Sequence, residues 1–91
     1  MEISIQATAA EKHATLTAIK QLNEIRHIKY MSQKMIADTA FIKATKIRII
    51  LMDLIAAKLI TQYQVSDNKR LQRYYYVLTD AGQKFLDDYV A

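Results

Sequence analysis

The stretch from Ser32 to Ile60, SQKMIADTAFIKATKIRIILMDLIAAKLI, decides how the chain folds. It reads as two helices with a short break between them. The first spans about residues 33–39 and opens on Ser32, whose hydroxyl can accept one of the orphan amide hydrogens of a helix start. Met35, Ile36 and Ala40 form a short inward stripe. Phe41-Ile42-Lys43 interrupts the periodicity, and a second helix follows over about residues 44–57. There Ile47, Ile50, Leu51 and Leu54 recur at three- and four-residue spacing, which defines one buried face. Lys43, Lys46 and Arg48 lie on the other.

Working outward, Leu59-Ile60 leads into residues 61–66, a polar tip Asp67-Asn68-Lys69-Arg70, and then residues 73–78, which together read as a two-stranded hairpin. Tyr74, Tyr76 and Leu78 alternate with Tyr75 and Val77, the period of a strand with two faces. Successive tyrosines can stack on bases, but tyrosine is also a good strand former, and packing within the sheet is the favoured reading. Thr79 or Asp80 can cap a last helix over residues 80–90, with Phe85, Leu86, Tyr89 and Val90 on one side. Upstream, Thr8-Ala9-Ala10-Glu11 is a capping box, so a first helix is expected over residues 8–29. Its Leu16, Ile19, Leu22, Ile25 and Ile28 spread over more than one stripe, a broader apolar surface than one small core needs. A matching helix of a second copy would cover the surplus. His13 and His27 fall on this helix about 21 Å apart, too far to share a metal. Residues 1–7 read as an arm or a short strand.

At 91 residues the chain is one domain, residues 1–91, viable but small. No apolar run reaches the roughly 18 residues that span a bilayer; the nearest, from Ile49 to Ile60, is broken by Asp53 and Lys58. No signal peptide is evident. With no cysteine, disulfides and thiolate metal sites are excluded, which fits a reducing compartment. The net charge of +4 is unevenly placed. Between Arg26 and Arg73 stand ten Lys or Arg against three Asp, +7 in all, while the two ends together carry −3. The positive charge therefore sits where a polyanion would dock. No nucleophile elbow, phosphate loop, dinucleotide fingerprint or metal-ligand cluster occurs, and one glycine cannot make a glycine-rich cradle. Asp87-Asp88 is read as a solvated face, not a catalytic pair. An enzyme is not expected.

Two short helices about a tight turn, the second basic on its outer side, form the pattern of a helix-turn-helix. The run LIAAKLITQYQVSDNKRLQRYYYVLTDAGQKFL resembles the winged-helix domains of the MarR and PadR transcription-regulator superfamilies. Leu54, Leu59, Ile60, Tyr76, Leu78, Thr79 and Gly82 carry the resemblance, which covers about residues 30–90. It implies that Tyr30-Met31 pairs as a minor strand with the wing. It also places Ala37 where the two helices cross closely, Ile42 at the apolar turn and Ile47 at the buried site of the recognition helix. The chain departs from the pattern at Phe41 and Lys58, where relatives carry glycine. A rearranged or longer turn is expected at the first and an altered helix exit at the second. Ile49 and Met52 depart as well, since they point outward where relatives are polar. They touch either thymine methyl groups or protein.

The reading is a mainly α protein with a small β-hairpin wing (α+β): a winged helix-turn-helix with helix-turn-helix 32–57, wing hairpin 60–78 and last helix 80–90. The expected function is sequence-specific binding of duplex DNA as a homodimeric transcriptional repressor or regulator. Lys43, Thr45, Lys46 and Arg48 would face the major groove, with Arg48 matched to guanine. Ser32, Gln33 and Lys34 would hold phosphates, and Lys69, Arg70 and Arg73 on the wing would reach the flanking backbone. The dimer interface would use Leu16, Ile19, Leu22, Ile25, Phe85, Leu86, Tyr89 and Val90, and the preferred site would be an inverted repeat. No cofactor, metal, membrane contact or small-molecule ligand is expected, and the location is cytoplasmic, on the nucleoid or in a host cell. Two alternatives stand beside this: a winged-helix protein-interaction module, or a plasmid or viral replication, partition or architectural DNA-binding protein.

Overall fold

The computed structural model describes residues 7–28, 31–68 and 71–89, with side chains at all of these except 65–68 and 71–73. Its elements are α1 (Ala9–Lys20), a π-helical turn (Gln21–Ile25), α2 (Gln33–Ala40), α3 (Ala44–Ala56), β1 (Ile60–Asn68), β2 (Leu71–Leu78) and α4 (Asp80–Asp88). The two strands pair antiparallel, Ile60 opposite Leu78 and Gln62 opposite Tyr76, with a register shift between Ser66 and Asn68. This is the expected winged helix-turn-helix, mostly helical with one hairpin.

α1 starts as its capping box dictates. Thr8 Oγ1 accepts from the Glu11 amide at 3.1 Å, and Glu11 Oε1 accepts from the Thr8 amide at 3.0 Å. The helix does not run on to residue 29. After Lys20 it widens into the π turn, in which the Arg26 amide reaches back to the Gln21 carbonyl at 3.1 Å. It ends at His27, whose φ of 54° is left-handed. The widened turn shifts the side-chain phase, so the inward stripe ends at Leu22 and Ile25 is left 71% exposed.

The broad apolar face of α1 is used inside the chain. α1 touches α2, α3, β2 and α4, and Leu16, Ile19 and Leu22 are completely buried among Ile36, Ile47, Ile50, Leu51, Leu54 and Tyr76. The assignment of Leu16, Ile19 and Leu22 to a dimer interface is therefore corrected. One helix packed by four neighbours needs apolar groups on several sides, and no surplus remains at these positions. At roughly 1.5–3 kcal/mol for each large aliphatic side chain buried, they are the centre of the core.

Three helical segments end on a left-handed residue that is not glycine. His27, Phe41 and Lys58 have φ of 54°, 57° and 62°. After Phe41 and Lys58 the next amide bonds the carbonyl four residues before the left-handed residue, Ile42 to Ala37 at 2.9 Å and Leu59 to Leu54 at 2.9 Å, while after His27 the Ile28 amide reaches one residue further, to Leu22 at 2.8 Å. The bonds after Phe41 and Lys58 are the six-to-one bonds of the Schellman ending, and the one after His27, which follows the π turn, is longer by a residue. The turn at Phe41 is thus neither rearranged nor longer, and the exit at Lys58 keeps the glycine geometry. A side chain in the left-handed region costs about 1–2 kcal/mol, set against the extra chain entropy that glycine loses on folding. Phe41 is 96% exposed and brings no packing in return. Phe41→Gly should therefore raise stability by about 0.5–1 kcal/mol, read as a higher urea midpoint at unchanged slope. A lower midpoint would show that the ring is held by contacts this conformation lacks.

At the hairpin base, α4 is clamped to the exit of α3. Thr79 Oγ1 donates to the Lys58 carbonyl at 2.6 Å and accepts from the Gly82 amide at 3.1 Å, while the Thr79 amide donates to the Leu59 carbonyl at 3.0 Å. The L-T-x-x-G signature is this clamp. Tyr76 is buried, its hydroxyl accepting from Gln62 Nε2 at 3.0 Å and its carbonyl from Asn23 Nδ2 at 2.8 Å. Tyr63 and Tyr75 stack across the opposite face at 4.7 Å. The tyrosines of the described strand residues are thus packed within the sheet, as the strand reading expects. Met31 donates one amide bond to the Tyr74 carbonyl at 3.1 Å, while Tyr30, the other half of the expected minor strand, lies outside the described residues.

Candidate nucleic-acid interface

Ser32 caps α2, its Oγ accepting from the Met35 amide at 3.1 Å, so the first turn of that helix stands at the surface with Ser32, Gln33 and Lys34 all exposed. Ala37 is buried at the α2 crossing and Ile47 in the middle of α3. This packing fixes which side of α3 faces out. Ile47, Ile50, Leu51 and Leu54 are buried, and the opposite stripe is Thr45, Ile49, Met52 and Ala56. Thr45, Met52 and Ala56 are exposed and Ile49 is half-buried.

Arg48 lies on one flank of that stripe. It borders an open cleft of about 560 Å³ together with Ser32, Gln33, Lys34, Gln62, Tyr74 and the link residue Met31. Four of the residues expected at the DNA, Ser32, Gln33, Lys34 and Arg48, are therefore gathered by the start of α2 and by α3 around one opening that the hairpin also lines. Gln62 was not singled out in the sequence. Strand alternation carried the signal, because Gln62 is opposite Tyr76 and shares its face, toward α3.

Lys46 takes the other flank and is engaged elsewhere. Its Nζ lies 2.6 Å from Glu11 Oε2, joining α3 to the capped start of α1. The Lys46 ammonium is the main influence holding the Glu11 carboxyl below its ordinary pKa, helped by the Thr8 amide. Lys46, expected near the DNA, is thus about half exposed on this flank and paired with Glu11. Asp53, on the same flank, accepts from the Ala7 amide at 2.9 Å. Lys43, the N-cap of α3, is exposed with no side-chain capping bond. Lys69 and Arg70 lie outside the described residues, as does the Arg73 side chain.

Of the other residues expected to meet a second copy, Ile25 is exposed, while Phe85, Leu86 and Tyr89 are half-buried. Tyr89 stacks on His13 of α1 at 4.2 Å and on Phe85 at 6.1 Å. Val90 lies outside the described residues. An open apolar groove of about 530 Å³ runs between Ala9, Leu59, Ala81, Phe85 and Tyr89. Among the described residues no helix is long and apolar enough to cross a membrane.

No protein-family model matches the chain, and no curated protein matches its sequence. Among solved structures it is similar to a point mutant of MepR from S. aureus, a MarR-family regulator, with 25% identity and a TM-score of 0.66. The match covers 89% of this chain and 54% of that one, so the chain spans about half the length of the regulator it resembles.

Proposed function

Proceeding from a winged helix of the MarR type, we propose that the chain binds duplex DNA sequence-specifically and acts as a transcription regulator, a repressor by preference. The carrying observation is the cleft that joins the exposed first turn of α2 to Arg48 of α3 and Gln62 of the hairpin. A helix start presents unpaired amides and a positive dipole end to a phosphate. Gln33 and Lys34 add side-chain donors there. With α2 anchored on the backbone, α3 enters the major groove, where the Arg48 fork matches the O6 and N7 acceptors of guanine. Lys43 and Thr45 meet the groove edge, and Lys69, Arg70 and Arg73 of the wing reach the flanking backbone. Two chains about a two-fold axis would present two such helices one DNA turn apart, so an inverted repeat is the expected site. Ile25, Phe85, Leu86 and Tyr89 are the apolar groups available for that pairing.

Substitution separates reading from holding. After selection of a preferred duplex from random sequence, Arg48→Ala should lose about 1–3 kcal/mol on that duplex and little on random DNA. Lys69→Ala should weaken both alike. Identical behaviour of the two variants would overturn the assignment of roles, and failure to retain any duplex at low salt would overturn the function itself.

A further inference from the structure

The outward stripe of α3 is short of hydrogen-bonding groups. Met52 is 60% exposed, Ile49 is half-buried and Ala56 is exposed, and only Thr45 among the four carries a polar atom. The polar side chains on the neighbouring flank are turned away, Lys46 to Glu11 and Asp53 to the Ala7 amide. That leaves Arg48 and Lys43 as the cations bordering an apolar strip.

We infer that this strip reads thymine: Thr45, Ile49 and Met52 recognise a sequence by packing on thymine 5-methyl groups in the major groove. The inference rests on the DNA-binding reading and names what that site selects. Thymine is the one base that presents a methyl group in the major groove, and an apolar side chain is its natural contact. A groove edge of unmethylated donors and acceptors would leave its polar groups unpaired against Met52 and Ile49, which costs affinity. The Arg48 and Lys43 charges hold the strip against the duplex, where a neutral apolar partner would gain nothing from them. The preferred site should therefore place runs of A·T pairs beside the guanine that Arg48 contacts.

The test uses the full chain and its selected duplex, prepared once with thymine and once with deoxyuridine at the same positions, so that only the methyl groups differ. Each methyl contacted should contribute roughly a fourfold gain, from about 0.8 kcal/mol for a buried methyl-sized group. Two or more contacts predict at least a tenfold preference for the thymine duplex. Met52→Ala should reduce that preference, the ratio of the two affinities measured on one protein sample, whereas a merely destabilised protein would bind both duplexes less and leave the ratio unchanged. Equal binding of the two duplexes overturns the thymine reading and leaves the DNA-binding function standing. Failure to bind either duplex at low salt overturns both.

Discussion

Gly82→Ala should cost the fold about 3–5 kcal/mol, far more than any change in helix preference would suggest. Alanine is the better helix former by about 1 kcal/mol, so propensity alone predicts a gain. The geometry decides otherwise. A Cβ at Gly82 would overlap the Leu59 carbonyl oxygen and lie 3.1 Å from its carbon, both backbone atoms that no rotamer change can move. That same oxygen accepts the Thr79 amide, so displacing it opens the clamp between α4 and the exit of α3. For a domain this small, the loss takes most of a typical stability and should lower the melting temperature by about 15 °C or more. Thr79→Ala is the control: it removes the cap and the bond to the Lys58 carbonyl, yet leaves the approach open, and should cost about 1 kcal/mol. Thermal melts followed by circular dichroism rank the two. A Gly82→Ala protein as stable as the parent would mean that α4 does not sit this close to Leu59.

The same corner shows what a sequence can and cannot disclose. A helix start at Thr79 or Asp80 was legible, because capping is local chemistry between residues three apart. The need for glycine was not, since the obstruction comes from Leu59, which is remote in sequence from Gly82. The helix-turn-helix was legible for the same reason of locality: Ile47, Ile50, Leu51 and Leu54 advertise one buried face by spacing alone, and all four are buried. α1 misled because spacing does not say how many neighbours a helix has. Its spread of apolar residues fits a helix shared with a second chain and a helix surrounded by its own chain equally well, and the structure takes the latter for Leu16, Ile19 and Leu22. The π turn that cut α1 short left no local mark, and the left-handed endings at Phe41 and Lys58 were marked only by the resemblance, which puts glycine there, and not by the residues themselves. A backbone position that usually takes glycine is invisible when another residue is held there by the fold. Lys46 was read as a groove cation from its place on the outer face of the second helix. Its partner Glu11 lies on a different helix, and only tertiary structure brings the two together.

Affinity for duplex DNA should fall about a thousandfold between 50 and 200 mM salt if two chains bind together. The count behind this starts from the cations free to meet phosphate. Lys34 and Lys43 are exposed, and Arg48 lies beside them in a site that also reads base edges, whereas Lys46 is held by Glu11 and drops out. With the wing lysine and arginines sharing the flanking backbone, about three phosphates per chain are neutralised, or about six for a pair. Each neutralised phosphate releases condensed counterions and contributes about −0.9 to the slope of log affinity against log salt. A pair of chains therefore gives a slope near −5, and a single chain one near −3, equivalent to a loss of about fortyfold over the same range. The slope thus tests two things at once. Its presence tests docking of the basic face on phosphate, and its size tests the two-fold arrangement, which sedimentation of the free protein checks against the chain mass of 10.5 kDa. A slope near zero would remove the electrostatic basis of the DNA reading. A slope near −3 with a mass near that of one chain would keep DNA binding and discard the dimer, and with it the inverted repeat. Charge reversal at Glu11 adds an internal check: Glu11→Lys should free Lys46, add a cation beside it and steepen the slope by about one to two phosphate equivalents per chain.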